Sequence, residues 1–349
     1  MSTSVLVALS GGVDSATAAY FLLQHGYEVE GAFMRVWKPR TASALSDQAE
    51  AEAGDTALRL GIPFHVLDVE EAFYKQVVAY FTHTYKAGRT PNPCVMCNKK
   101  IKFSLFRQEA IRRGFQYMAT GHYARNEYHA CDTQWHLLEA ADKSKDQSYF
   151  LSLLKQEDLA YVLFPLGQRE KKDIREIARN NSFISSYKKE SQEICFIPDD
   201  YASFLKRECG LAPGEGVIRD SSGTVRGKHK GYIHYTVGQR RGLGIGAPAP
   251  LYVIRIDSSA NEIIVGPREE AFSETFRVAD FNWIGARPAE TSFTAAVRTR
   301  YNQSKITARI EQHGPDIRCR LVSVRDVITP GQAAVLYEGE RVMGGGWIE

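Results

Sequence analysis

Near the start of the chain, Ser10, Gly11, Gly12, Val13, Asp14 and Ser15 form the string SGGVDS, between an apolar run, VLVAL, and a helix-forming run, ATAAYFLLQHG. Two glycines permit a tight turn and close backbone approach, so N–H groups of the turn and of a helix N-terminus can surround a pyrophosphate. Ser10 and Ser15 add hydroxyls, Ser15 also suits a helix cap, and Asp14 can orient the loop or hold Mg²⁺ indirectly. No GK[ST] follows, so the lysine and magnesium-binding hydroxyl of a Walker loop are missing. Such a loop suits pyrophosphate release and AMP transfer. The strand-loop-helix setting favours this chemistry over an ordinary glycine turn.

Two cysteines far apart in sequence are the candidate nucleophiles. Cys97 lies in GRTPNPCVMCNKKIKF at the expected start of a basic helix, where the helix N-terminus and Lys99, Lys100 and Lys102 predict a lowered thiol pKa. Cys195 lies in ESQEICFIP, a loop bounded by Pro198, where it can swing, receive sulfur and be approached by a partner protein. Cys94 and Cys97 also form a CxxC, half a zinc site or a dithiol pair, but no second CxxC or CxxH completes a structural zinc site. Cys195, between Ile194 and Phe196, has the alternative of a buried apolar thiol.

These residues need a frame, and 349 residues predict two or three domains. Residues 1–210 alternate short apolar runs with helical periods, the rhythm of parallel strands and crossover helices. The expected fold class is α/β: an N-terminal doubly wound parallel sheet, then two small β-rich domains, at 211–272 and 273–349, the last a β barrel. Helices are expected over EAFYKQVVAYFTHTYKAG, NKKIKFSLFRQEAIRRG, KDQSYFLSLLKQEDLAYVL and KKDIREIARNNS. A hydrophobic content of 44% and a charged content of 24% exclude long disorder and collagen-like sequence. No apolar run approaches the roughly 20 residues of a membrane span, and MSTSVLVALSGG lacks a signal-peptide pattern, so a cytoplasmic chain with no membrane partner is expected. Six cysteines are too few for a secreted disulfide framework.

The net charge of +3 suggests indifference to polyanions, but its distribution does not. Residues 86–113 hold eight Lys or Arg and one Glu, 226–241 five bases and no acid, and 298–309 four more bases, whereas 47–71 hold seven acids and one Arg. Local excesses of this kind predict phosphate contacts with a nucleic acid.

SGGVDS resembles the loop of the PP-loop ATP pyrophosphatases, of the adenine nucleotide alpha hydrolase-like fold. Together with AGRTPNPCVMCNKKIKF, ATGHYA, KDQSYFL, ESQEICFIP, YTVGQRRGLGIG and GGGWIE, it makes the whole chain similar to the tRNA-specific 2-thiouridylase family. The resemblance implies ATP binding by Ala8, Leu9, Ser10, Gly11, Gly12, Val13, Asp14 and Ser15, with Met34 and Gly121 closing on the nucleotide. It implies that Cys195 carries a persulfide sulfur, and that Cys97 completes transfer by forming a disulfide with it. Asn92, Pro93 and Cys94 would form the uridine pocket, while His122, Lys145, Asp146, Gln147, Arg300, Tyr301 and Gln332 would touch tRNA. The family often has Asp where this chain has Cys94, whose thiol could contact the base, compete for sulfur or help form a metal site. The implied reaction puts sulfur at C2 of the wobble uridine of tRNA of the Lys, Glu and Gln type. It requires ATP, Mg²⁺, a persulfide sulfur donor fed by a sulfur-relay protein or cysteine desulfurase, and a cellular reductant. The alternatives are a PP-loop synthetase or amidotransferase acting on a small molecule, and a catalytically silent RNA-binding protein.

Overall fold

The computed structural model describes residues 2–39, 43–183, 194–322 and 326–349; the ESQE that opens the Cys195 loop lies outside them. The N-terminal sheet is built on β1 (Ser4–Ala8), whose Val5, Leu6 and Val7 are fully buried. Apolar residues at every position suit a strand covered on both faces. Val5 and Val7 pack with Ala19 and Leu22 of the first helix (Val13–Gln24) and Ala53 and Ala57 of the second (Ser43–Leu60). Leu6 and Ala8 pack on the other face against Phe103, Phe106 and Ala110. Beside β1 run β2 (Glu28–Arg35), β3 (Phe64–Asp68) and β4 (Tyr117–Ala119). The chain then leaves the sheet as a hairpin, β5 (Ala124–His129) and β6 (Gln134–Glu139), and returns as β7 (Val162–Leu163). All pairings in the order β3-β2-β1-β4-β7 are parallel. The winding direction reverses between β1 and β4, and such a switch point opens a crevice at the strands' carboxyl ends.

Two long helices, residues 70–86 and 93–112, each contain a π-helical stretch, Tyr74–Val78 and Asn98–Leu105. The second starts where TPNP dictates: Asn92 Oδ1 caps the Val95 N–H at 3.3 Å, and Pro93 occupies the first turn, where its missing N–H costs nothing. The helix expected over KDQSYFLSLLKQEDLAYVL is replaced by a 3-10 turn, Ser148–Leu151, a single helical turn, Gln156–Leu159, and β7. Side chains there compete with a continuous helix for backbone groups. Asp146 takes the Ser148 N–H, Asp158 the Lys155 N–H, and Asn126 donates to the Leu159 and Val162 carbonyls.

The central module is a four-stranded sheet of β8 (Gly216–Asp220), β9 (Val225–His229), β10 (Tyr252–Asp257) and β11 (Glu262–Gly266). Its Ile218, Val253 and Ile263 share one core with Phe73, Val77 and Phe81 of the 70–86 helix and with Phe196 and Phe204. A short strand, β12 (Phe272–Ser273), leads into β13 (Thr275–Trp283), β14 (Ser292–Arg298), β15 (Ile306–His313) and β16 (Asp316–Leu321). After β17 (Asp326–Val327), which pairs with β12, come β18 (Ala333–Glu338) and β19 (Arg341–Ile348). The order β13-β16-β15-β14-β18-β19, with β19 also paired to β13, closes a six-stranded barrel. The β5–β6 hairpin, early in the chain, extends this late sheet through the Leu138–Arg341 pair. Among the described residues, no helix is long and apolar enough to cross a membrane.

Candidate active site

The loop after β1 opens into the switch-point crevice. Gly11 has φ +74°, and a Cβ there would stand 2.6 Å from the Ala49 carbonyl oxygen, so glycine is needed for both conformation and space. Ser15 is not the helix cap: Gly12 holds that position, and it brings no side chain to close the N–H groups that follow. The Ser15 hydroxyl instead donates to the Gly12 carbonyl at 3.0 Å and accepts the Ser10 N–H at 3.1 Å, bracing the turn from inside. Ser10 is exposed while Ala8, Leu9, Gly11 and Ser15 are buried. Half-buried Met34 packs against two cores, the one holding Phe103 and Phe106 and the one holding Phe73 and Phe196.

Across the crevice, the segment after β4 lies directly on this loop. A Cβ on Gly121 would meet the Asp14 carbonyl carbon and the Ser15 nitrogen at 2.8 Å. Tyr123 donates its hydroxyl to Asp14 Oδ1 at 2.8 Å, and the Lys171 ammonium meets both Asp14 oxygens at 2.7 and 2.8 Å. Gln147 accepts the Tyr123 N–H at 2.9 Å and donates its own N–H to the Tyr123 carbonyl, so the KDQ triplet positions the Gly121–Tyr123 segment. Asp146 is buried and takes the Ala140 and Ser148 N–H groups, the Ser148 hydroxyl and Arg298, so its carboxylate is occupied inside the protein. His122 accepts or donates to the Thr120 hydroxyl at 2.8 Å. Burial, reinforced by Lys102, holds its ring well below the ordinary histidine pKa and hence neutral.

Lys102 links this crevice to the cysteines. Cys94, Cys97 and Cys195 lie within electrostatic range of one another and of Lys102, although nearly a hundred residues separate the CxxC from Cys195. All six cysteines of the chain are free thiols; Cys94 and Cys195 reach solvent, and Cys97 is half-buried. The expected acidic thiol at Cys97 is not found. Burial pushes its pKa up to about 12 despite the opposing pull of Lys102. Cys97 stands at the fifth helical residue rather than at the helix entrance, beyond the reach of the unpaired N–H groups. Crowding likewise pushes Cys94 up to about 11 and raises Cys195, which Lys102 and Lys38 moderate.

The barrel supports the cysteine helix at its entrance. Gln332 donates to the Thr90 and Pro91 carbonyls at 3.0 and 3.1 Å, just before Asn92 and Pro93. Asn92 and Pro93 are buried as cap and first turn. Tyr301 packs on Phe150 with ring centroids 4.4 Å apart, and exposed Arg300 pairs with Asp326 at 3.0 Å. Lys145 is half-buried near Lys171, at the rim of a basin of about 470 Å³. A larger groove of about 1040 Å³, between residues 66–75 and 105–113, touches neither the loop nor the cysteines. Among the described residues, no group of three or more His, Cys, Asp or Glu is arranged to hold a metal ion.

Comparison with known proteins agrees with this architecture along the whole chain. Three family models match in series: a tRNA methyl transferase HUP domain at 3–199, a tRNA methyl transferase PRC-barrel domain at 202–267 and an aminomethyltransferase beta-barrel domain at 273–348. The tRNA-specific 2-thiouridylase MnmA of Carboxydothermus hydrogenoformans is 42% identical, covering 99% of this chain and 97% of that protein. The MnmA of Geotalea uraniireducens is 44% identical, covering 99% and 94%. This chain belongs to the tRNA-specific 2-thiouridylase family. A solved 4-thiouridine synthetase–RNA complex with bound ATP is 17% identical with a TM-score of 0.36, covering 56% of this chain and 45% of that one.

In this 2-thiouridylase chain, two positions escaped sequence reasoning. Lys171 and Tyr123 were hidden because their partners are distant in sequence: Lys171 meets Asp14 across 157 residues, and Lys102, read only as a neighbour of Cys97, also reaches Cys195 and His122. Charge counting also missed pairing. Arg298 and Lys305, read as a basic patch, converge on buried Glu139 at 3.0 and 2.9 Å, and Arg226 is spent on Asp220 at 2.7 Å. Arg112 and Arg113 both pair with Glu109 at 2.7 Å.

Proposed function

We propose that this chain catalyses ATP-dependent 2-thiolation of the wobble uridine of tRNA of the Lys, Glu and Gln type, and that residues 1–210 carry the chemistry while 211–272 and 273–349 hold the tRNA. The observation that carries this is the gathering of Cys195, Cys97 and Cys94 around Lys102, whose charge also reaches the His122 ring beside the phosphate-binding loop. A loop for ATP and cysteines within electrostatic range of one another suit oxygen activation and sulfur delivery, which agrees with the thiouridylase relatives rather than with the methyl transferase description of the domain families.

The loop residues Ala8 to Ser15, with Met34 and Gly121, hold ATP so that the uridine O2 attacks the α-phosphorus and pyrophosphate leaves. The C2 oxygen, otherwise a poor leaving group, then departs as AMP. Asp14, whose carboxylate already binds Lys171 and Tyr123, would hold Mg²⁺ indirectly, and the ion would supply charge neutralisation to the phosphates. The terminal sulfur of a Cys195 persulfide bonds to C2. Cys97 then attacks the inner sulfur, a Cys97–Cys195 disulfide forms, and the electron pair released on the transferred sulfur expels AMP. A reductant restores both thiols, and a sulfur-relay protein or cysteine desulfurase reloads Cys195. Asn92, Pro93 and Cys94 receive the base, with Lys145, His122, Arg300, Tyr301 and Gln332 at the tRNA surface and Asp146 and Gln147 shaping it. A tRNA substrate supports a cytoplasmic location for the enzyme.

Mass spectrometry of wobble nucleosides after incubation with tRNA, ATP and a persulfide source tests the reaction. A C2-sulfur product is expected, lost in Cys97→Ser and in Cys195→Ser by at least about a hundredfold, as for removal of a nucleophile. Full thiolation by either variant overturns the two-cysteine scheme, and pyrophosphate release without RNA would favour a small-molecule synthetase.

A further inference from the structure

We propose that Lys171 supplies to the pyrophosphate of the nucleotide the positive charge that a Walker loop takes from its own lysine. The inference rests on SGGVDS being a pyrophosphate cradle, and it assigns that cradle a cation the motif itself lacks.

Lys171 begins the helix Lys171–Asn180, which packs on the first helix, and its N–H is held by Asp142 Oδ2 at 3.0 Å. The residue is only 6% exposed, and its ammonium is fixed from three sides. It meets the two Asp14 oxygens at 2.7 and 2.8 Å and stands 5.3 Å from the centroid of the Tyr123 ring. Asp14 is the second residue of the first helix, so its carboxylate occupies the same turn whose N–H groups face an incoming phosphate. An anionic side chain there opposes the ligand unless a cation balances it. A lysine one hydrogen-bond length from Asp14 is placed to bridge carboxylate and phosphate, and to stabilise charge that grows on the departing pyrophosphate.

The basin of about 470 Å³ has Lys171 among its lining residues. Lys143, Lys145, Lys172 and Arg175 line it beside Lys171, with Asp142 and Glu170 opposite. Of these, Lys143 is paired with Glu139 and Glu340, and Lys172 with Glu170.

The competing role is purely local, with Lys171 acting as counter-charge to Asp14 and touching no ligand. Titration calorimetry of the full chain with inorganic pyrophosphate, in the presence of a metal chelator, separates the two. In Asp14→Asn the carboxylate is gone, so a mere counter-charge has no remaining task. We expect Asp14→Asn/Lys171→Met to bind pyrophosphate at least about tenfold more weakly than Asp14→Asn, the loss typical of one charge-assisted hydrogen bond. Asp14→Asn/Lys171→Arg should stay within about threefold of Asp14→Asn, because it keeps the cation. Equal affinities of Asp14→Asn and Asp14→Asn/Lys171→Met overturn the assignment. Should the methionine variant fail to fold by thermal melting, Lys171→Gln in the same background gives the same comparison. Absence of pyrophosphate binding by the unmodified chain would overturn the cradle itself, whereas normal binding with no lysine effect removes only the role of Lys171.

Discussion

At the residue scale, the three cysteines of the proposed site are held as thiols at neutral pH. Protein atoms crowded around the sulfurs hold Cys97 up near 12 and Cys94 near 11 and raise Cys195, although Cys94 and Cys195 still reach solvent, with Lys102 pulling all three down. The thiolate is the reactive form, so its population grows with pH and is small at neutrality. Iodoacetamide labelling of Cys94 and Cys195, followed by peptide mass spectrometry, should accelerate continuously from pH 7 to 9 with no plateau. Lys102→Met should slow labelling further, and a plateau below pH 8 would contradict the burial effect. The sequence displays these cysteines and their basic neighbours but not their acidity. Helix position and crowding decide acidity: Asn92 and Pro93 set where the helix starts, and Cys97 packs against the core of Phe196, Ile197 and the 70–86 helix. Asp146 shows the same limit, since its place in KDQSYFL gives no sign that Ala140, Ser148 and Arg298 already occupy it.

At the element scale, the strand-turn-helix unit of β1, its loop and the first helix is legible because each part is local: an apolar strand, two glycines and a helix-forming run. The β4 segment is legible as a strand but not as the lid of that loop. Gly121 has no unusual backbone angle to explain it; the reason for glycine is the 2.8 Å approach to Asp14 and Ser15. Gly121→Ala must therefore displace one segment or the other, at a cost of about 1–3 kcal/mol for overpacking. ATP affinity measured by calorimetry should fall about tenfold or more while thermal melting shifts by only a few degrees; unchanged affinity would show that the two segments separate freely. The barrel strands were readable from alternation alone. The β5–β6 hairpin was not, because its sheet partner, β19, lies some two hundred residues on.

At the scale of the whole molecule, Glu139 ties the parts together. It is 3% exposed at the end of β6 and stands within 3.3 Å of Lys143, Arg298 and Lys305, which reach it from its own domain and from the barrel. Removing one partner of a buried ion cluster leaves the rest uncompensated. Glu139→Gln should lower unfolding free energy by about 3 kcal/mol in urea denaturation, and the loss should appear as separation of the barrel transition from the α/β transition. A single transition with unchanged midpoint would show the cluster to be dispensable. The β5–β6 hairpin and the Gln332 bonds also impose an order of assembly. The entrance to the helix carrying Cys94 and Cys97 is braced by residue 332, and the hairpin finds its neighbour only at residue 341, eight residues before the chain ends. On a ribosome adding about 5–20 residues per second, the early half waits roughly 10–40 s for these contacts. A prematurely terminated chain thus has the loop after β1 but lacks the bonds that brace the entrance of the helix carrying Cys94 and Cys97.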